Sequence, residues 1–106
     1  MLCEHTVMHE LTKLDVKHKD IVLAQSKLET GFYSSQLVRT HNNLFGFRTK
    51  KGYLRFDTWE ESCEYYKKWQ AKRYKKGDYY KFLVEIGYAE DPQYTTKLKK
   101  IIDDGD

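Results

Sequence analysis

The fold of this chain is decided by residues 20–31, which read Asp-Ile-Val-Leu-Ala-Gln-Ser-Lys-Leu-Glu-Thr-Gly. Four consecutive apolar residues, 21–24, wrap most of a helical turn, which predicts a helix that is buried on most of its sides. An acidic residue opens the stretch, and Thr30-Gly31 ends it, as glycine commonly does at the end of a helix. We therefore expect residues 20–29 to form a central helix around which the other elements pack.

Glu29 is the last residue of that expected helix. Helical spacing places it one turn beyond Gln25 and two turns beyond Val22, on the edge of the apolar stripe. The negative end of the helix dipole and partial burial both disfavour an ionised carboxylate, so we expect a raised pKa for Glu29. A raised pKa suits a general acid, although an ordinary glutamate next to a C-terminal glycine has the same pattern.

Spacing and capping signals predict the remaining elements. Thr58 followed by Glu61 is a capping box, and aromatic residues around Lys50-Lys51-Gly52 indicate a short hairpin. The fold class is therefore α+β and mostly α, with five or six helices and one β-hairpin. Besides the central helix, the expected elements are helices over residues 4–14, 34–39, 58–75, 78–86 and from 91 onward, with the hairpin inside 46–57.

Length and composition set limits on the kind of protein. A chain of 106 residues is expected to form a single domain, 1–106, and its nine Tyr, five Phe and two Trp can supply a core. The mean hydropathy of −0.82 and the lack of a long apolar run predict a soluble protein with no membrane span. The first residues have no signal-peptide pattern, and we expect a monomer whose Cys3 and Cys63 are free thiols.

One basic, aromatic stretch raises the possibility of nucleic-acid binding. Residues 65–81 mix tyrosines and Trp69 with lysines and arginines, a combination that can stack bases and pair with phosphates. Most of the lysines lie opposite Tyr66 and Trp69 on the helical wheel, however, as on an ordinary solvated helix. We therefore expect no nucleic-acid partner.

The N-terminal segment raises the possibility of a metal site. His5 and His9 share a helix face, and Cys3 lies nearby. No acid lies at a matching position, and the spacing fits no zinc template. We expect no metal and no cofactor.

Three blocks of sequence carry a resemblance to a known family. Residues 24–31 read AQSKLETG, residues 42–48 read NNLFGFR, and residues 87–98 read GYAEDPQYTTKL. Together with WEES at 59–62, in this order, they resemble the glucosaminidase family of peptidoglycan hydrolases, glycoside hydrolase family 73. That family includes a flagellar rod-associated hydrolase, autolysins and phage lysins.

The resemblance implies a lysozyme-like fold that cleaves the bond after N-acetylglucosamine in bacterial cell-wall glycan. Glu29 matches the family's general acid, and Tyr88 matches a tyrosine of the catalytic groove, so both are expected to be catalytic. Asn43 and Phe45 match residues that pack near the glutamate. With Gln25 of the first block, they are expected to help bind the substrate. The alternative is that these residues are structural: Asn43 satisfies a turn, Phe45 fills the core and Tyr88 anchors the last loop.

The hairpin departs from the family pattern. Several members carry a second carboxylate on a longer β-lobe, whereas residues 48–56 contain no acid. The nearest candidates are Asp57, Glu60 and Glu61. The capping box already explains Glu61, and Asp57, which a cap or a turn would also explain, is assigned to substrate binding. The substrate's own acetamide oxygen could instead attack the anomeric carbon.

Three functions remain open from the sequence. The leading one is an endo-β-N-acetylglucosaminidase acting at the bacterial cell wall, either secreted or delivered by a phage. A lytic transglycosylase or muramidase also places a lone glutamate at a helix end, but the Gly-Leu-Met-Gln block of that group is missing. The third is a glycan-binding module with this fold and no turnover.

Overall fold

The computed structural model describes residues 1–105 and contains helices and one small antiparallel sheet. Arg48 pairs with Tyr53 and Thr49 with Gly52 across the hairpin. This confirms the expected α+β, mostly α fold. In chain order the elements are α1 (Glu4–Lys13), α2 (Lys19–Glu29), α3 (Gln36–His41), β1 (Arg48–Thr49), β2 (Gly52–Tyr53), α4 (Trp59–Arg73), α5 (Tyr79–Glu85) and α6 (Tyr94–Asp104).

Helix α2 lies at the centre, with α1 and α6 packed against it. Its buried residues include the apolar Ile21, Val22 and Ala24, as the run of apolar residues predicts. Lys27 is also buried, and its ammonium group pairs with the Glu4 carboxylate of α1, which compensates for the desolvation of that charge. The burial of α2 on several sides fixes where its last residue, Glu29, can lie.

The end of α2 is set by a left-handed run of backbone. Gly31, Phe32 and Tyr33 have φ values of +55°, +59° and +69°. The Tyr33 amide donates to the Thr30 hydroxyl at 2.9 Å, and the Phe32 amide donates to the Lys27 carbonyl at 2.8 Å. Thr30-Gly31 ends the helix as expected, but two aromatic residues in this conformation, at about 1–2 kcal/mol each, were not predicted.

Helix α4 begins with the predicted capping box. The Thr58 hydroxyl accepts from the Glu61 amide at 3.3 Å, and the Glu61 carboxylate accepts from the Thr58 amide at 3.1 Å. The helix ends at Arg73, two residues earlier than expected, and Arg73 is exposed although helical spacing puts it one turn after Trp69, on the face expected to be buried. Gln70, one turn after Tyr66, is buried instead.

The other boundaries differ only slightly from the expected ones. Asp78 caps α5 by accepting from the amides of Tyr80 and Lys81, as predicted. Helix α6 begins at Tyr94 rather than near Pro92, because the Asp91 carboxylate accepts from the Gln93 amide and forms a turn there. Within residues 1–105, no helix is both long enough and apolar enough to cross a membrane.

Candidate active site

Glu29 lies partly buried at the C-terminal end of α2. Its Oε2 accepts a hydrogen bond from the Tyr94 hydroxyl at 3.0 Å. Burial raises the pKa of the Glu29 carboxyl, while the Tyr94 hydrogen bond and the positive charge of Arg48 act in the opposite direction. The direction is the expected one, and desolvation is its main cause.

The Gln25 side chain sits directly behind this carboxylate. Gln25 has no exposed surface, and its amide nitrogen donates to the Tyr94 hydroxyl at 3.1 Å. Its amide oxygen accepts from the Tyr66 hydroxyl. Burial and the nearby Glu29 charge raise the pKa of Tyr94 far above its usual range, so Tyr94 stays protonated and donates to Glu29.

The hydrogen bonds continue behind Tyr66 in one direction. The Tyr66 proton goes to the Gln25 oxygen, so the Tyr79 hydroxyl, 2.6 Å from that of Tyr66, must be the donor to it. The Tyr79 hydroxyl in turn accepts from the side-chain amide of Gln70 at 3.0 Å. Gln70 is held by both backbone groups of Lys17, at 2.9 Å each. Hydrogen bonds aligned in this way polarise one another, so this series of hydrogen bonds strengthens the last one, from the Tyr94 hydroxyl to Glu29.

The loop that faces Glu29 is held by Asn43. This residue is fully buried, and its amide nitrogen donates to the carbonyls of Phe47 and Leu54 at 2.8 and 3.0 Å. The loop presents Gly46, with φ +71°, to the carboxylate, and a Cβ at this position would lie 2.7 Å from Glu29 Oε1. Only glycine allows this approach, because any side chain would displace the carboxylate.

Tyr88 anchors the same loop from the other side. Its hydroxyl donates to the Phe45 carbonyl at 2.8 Å, and its ring stacks on Tyr94 with centroids 5.9 Å apart. Burial raises the pKa of Tyr88 well above its usual range, so it is a neutral donor. The Phe45 ring is buried against Tyr66, with centroids 4.7 Å apart, and belongs to the core.

A cavity of about 210 Å³ opens above the Glu29 carboxylate. Its walls are the end of α2, the loop before the hairpin, the hairpin itself and the segment between α5 and α6. We call it the Glu29 cavity, and it is lined by Glu29, Phe45, Gly46, Arg48, Tyr53, Tyr88, Ala89 and Glu90.

The structure brings three of the residues singled out from the sequence to this cavity, namely Glu29, Phe45 and Tyr88. Gln25 and Asn43 lie behind it, because their amides are used in buried hydrogen bonds, so they support the site and have no surface to offer a ligand. Asp57 is exposed and does not line the Glu29 cavity. Its backbone carbonyl accepts from the side-chain amide of Asn42 at 3.0 Å.

Five residues of the cavity were not singled out from the sequence, and three of these have polar side chains: Arg48, Tyr53 and Glu90. Arg48 and Tyr53 are paired directly across the hairpin, and Tyr53 is 48% exposed. Glu90 is two residues after Tyr88 and is the second carboxylate that lines the cavity. The pairing of Arg48 with Tyr53 follows from a hairpin centred on Lys50-Lys51, which is the signal that could have found both residues.

The described part of the chain also contains a cavity away from Glu29 and two cysteines. A larger cavity, of about 290 Å³, lies between α1, α2 and α6, away from Glu29, and contains the paired Glu4 and Lys27. Within residues 1–105, no three His, Cys, Asp or Glu side chains are grouped so as to hold a metal ion. Cys3 and Cys63 are free thiols.

Replacing Gln25 tests the chain of hydrogen bonds. Gln25→Leu should lower the free energy of unfolding by about 1–3 kcal/mol, because the buried Tyr66 hydroxyl loses its acceptor. Urea denaturation measures the change. The control is Gln36→Leu at an exposed position of α3, which should change stability by at most about 0.5 kcal/mol. Equal stability of the two variants would show that the buried hydrogen bonds of Gln25 contribute nothing to the free energy of unfolding.

The raised pKa of Glu29 predicts how stability depends on pH. A carboxyl whose pKa is higher in the folded state stabilises the fold fully below its unfolded value of about 4.3, and this contribution is lost as pH rises through the folded pKa. Glu29→Gln stays neutral and can still accept from Tyr94. Its melting temperature should therefore exceed that of the wild type at pH 7, with the difference closing below about pH 4.

The control for this measurement is Glu85→Gln. Glu85 is also the last residue of its helix, α5, but it is exposed. The Glu85→Gln variant therefore measures the general effect of removing one negative charge at a helix end. A wild type that is more stable than Glu29→Gln at pH 7, after this correction, would contradict the raised pKa.

No curated protein and no solved structure matches the chain. The glucosaminidase family, described as mannosyl-glycoprotein endo-beta-N-acetylglucosaminidase, matches residues 4–106, which is nearly the whole chain. The chain therefore belongs to the glucosaminidase family of glycoside hydrolases.

Proposed function

We propose that this chain is an endo-β-N-acetylglucosaminidase of peptidoglycan, with Glu29 as its general acid. The observation that supports this most directly is a partly buried carboxyl with a raised pKa inside a cavity of about 210 Å³. Membership of a glycoside hydrolase family adds the reaction class. The cell wall is the corresponding place of action.

Glu29 would protonate the glycosidic oxygen as the bond to the anomeric carbon breaks. Its raised pKa favours the protonated form that this step requires. Once the proton has left, the carboxylate keeps the hydrogen bond from Tyr94 and the nearby charge of Arg48. The same two groups therefore stabilise the product of the proton transfer without preventing the acid from being protonated beforehand.

Tyr53 is the best placed residue to bind a sugar ring. It lines the Glu29 cavity and is about half exposed, so its apolar face is available to a pyranose. Phe45 is buried in the core, and only its backbone carbonyl, bonded to Tyr88, acts at the cavity. We therefore assign sugar stacking to Tyr53.

The second step is assigned to the substrate's acetamide group. The hairpin has no acid, Asp57 does not line the cavity, and Glu90, which does line it, is exposed to solvent. The acetamide oxygen would therefore bond to the anomeric carbon as the leaving oxygen takes the Glu29 proton. Water then opens this ring and returns a proton to Glu29. The Tyr88 proton is engaged by the Phe45 carbonyl, which leaves the Tyr88 oxygen free to accept from the acetamide N–H.

The first test of the proposed function is Glu29→Gln. Removing a general acid should lower the rate of cleavage by roughly 10² to 10⁴-fold. Purified peptidoglycan is digested, and the new reducing ends are identified by mass spectrometry. Glu85→Gln serves again as the control and should retain the wild-type rate.

The identity of the ends separates the three functions. N-acetylglucosamine ends agree with the proposed function. Muramic acid or anhydro-muramic acid ends would assign the chain to the muramidases or lytic transglycosylases. A wild-type protein that binds the glycan and produces no ends would be a glycan-binding module.

A second test compares three variants at the step after protonation. Tyr88→Phe should lower kcat more than it raises KM, each tenfold loss being about 1.4 kcal/mol, because the hydroxyl acts mainly in the transition state. Asp57→Asn and Glu90→Gln should have mild effects. Steady-state kinetics on soluble glycan strands measures all three, and the melting temperature of Tyr88→Phe shows how much of its loss comes from releasing the Phe45 loop.

The opposite ranking would reject substrate assistance. A nearly inactive Glu90→Gln would identify Glu90 as the second acid, and a nearly inactive Asp57→Asn would do so for Asp57. Inversion of configuration at the anomeric carbon would reject the acetamide mechanism independently, since the mechanism retains configuration.

A further inference from the structure

A second cavity continues from the Glu29 cavity along the surface. Its volume is about 260 Å³, and the two cavities share Phe45, Gly46, Arg48 and Tyr88, so together they form one groove. We call the second part the Trp69 cavity. The residues that it adds are Phe47, Trp69, Arg73, Ile86 and Gly87.

The charges that line the Trp69 cavity are all of one sign. Arg48 and Arg73 line it, and no Asp or Glu does. Within the described part of the chain, neither guanidinium forms an ion pair with a carboxylate. Unneutralised arginines beside a substrate groove favour an anionic ligand.

The position of Arg73 against Trp69 indicates which type of anion the Trp69 cavity would bind. The Arg73 guanidinium lies over the Trp69 ring, with its carbon 5.8 Å from the ring centroid. Contact with the ring holds the planar guanidinium in place and leaves its edges free to form two parallel hydrogen bonds with a carboxylate. The aromatic ring beside it gives the apolar part of the same ligand a surface to pack on.

We propose that the Trp69 cavity binds a carboxylate of the glycan strand next to the sugar held at Glu29, through Arg73 with Arg48. The inference rests on the proposed peptidoglycan substrate. In that substrate N-acetylglucosamine is neutral, whereas the neighbouring muramic acid carries a lactyl group, and the peptide attached to it has free carboxylates. The groove thereby distinguishes peptidoglycan from neutral polymers of N-acetylglucosamine.

The test measures binding without turnover, in the Glu29→Gln background, by isothermal titration calorimetry. Three soluble probes are compared: peptidoglycan fragments with intact peptides, the same fragments with their carboxylates converted to methylamides, and strands from which the peptides have been removed to free the lactyl carboxylate. Arg73→Gln is the test variant. Lys72→Gln is its control, because Lys72 is exposed, lies in the same last turn of α4 and does not line the Trp69 cavity.

Arg73→Gln should weaken binding of a carboxylate-bearing probe by about tenfold and leave the methylamide probe unchanged, whereas Lys72→Gln should affect neither. Arg73→Lys should restore only part of the affinity, because an ammonium group cannot form the paired hydrogen bonds. Loss confined to the intact fragments identifies a peptide carboxylate as the ligand, and loss confined to the stripped strands identifies the lactyl group.

Equal affinities for all three probes, with no effect of Arg73→Gln, would overturn the inference and leave the proposed function intact. Equal losses in Arg73→Gln and Lys72→Gln would overturn it as well, because the effect would then be one of net charge. Failure to bind any probe, together with no cleavage by the wild type, would overturn both this inference and the proposed function.

Discussion

The hydrogen bond from the Tyr94 hydroxyl to Glu29 joins two helices whose residues are 65 positions apart in the chain. It fixes the carboxyl of α2 against α6, the helix with which α2 makes its most extensive packing. Gln25, on the buried side of α2, holds the Tyr94 hydroxyl from behind. The position of Glu29 is therefore determined by the core, and the loops around it close onto a carboxyl that is already in place.

Two opposing electrostatic effects set the pKa of Glu29. Burial disfavours the charged form, while Tyr94 and Arg48 favour it, and the balance is a raised pKa. In the proposed role of general acid, a carboxyl kept protonated by burial alone would be costly to deprotonate. Fixed donors that already point at the carboxylate reduce this cost, because they need no reorganisation when the proton leaves.

The sequence predicts the helices better than it predicts the site. The apolar run in α2 and the capping box of α4 act between near neighbours, so both are readable from the chain. The role of Gln25 depends on Tyr66 and Tyr94, which are 41 and 69 residues away in the chain. Asn43 bonds to the carbonyls of Phe47 and Leu54, 4 and 11 residues away, but it does so only once the loop and the hairpin have folded. A buried amide and a substrate-binding amide look the same in sequence, and only the packing separates them.

The sequence does not show which carboxylates line the cavity, for a related reason. Asp57 is the acid nearest to the hairpin along the chain, yet Glu90 is the one that lines the cavity with Glu29. Tyr88 brings the segment between α5 and α6 to the cavity through its bond to the Phe45 carbonyl, and Glu90 follows two residues later. Proximity to the hairpin in sequence does not show which carboxylate lines the cavity, because the cavity is closed by a segment from the far end of the chain.

Left-handed backbone lies on two sides of Glu29; it is strained at Phe32 and Tyr33, whereas Gly46 adopts it without strain. Phe32 and Tyr33 hold left-handed conformations just after it, and Gly46 approaches its carboxylate so closely that no Cβ fits. Such conformations persist only when the surrounding contacts determine them, and here Thr30 and Asn43 supply those contacts from side chains that are fully buried. The strain is therefore tied to the same core that positions Glu29. A substitution that relaxes either turn should make the position of the Glu29 carboxyl less well defined, even when the substituted residue does not contact Glu29. The stability of these turns and the placement of the carboxyl therefore depend on the same contacts.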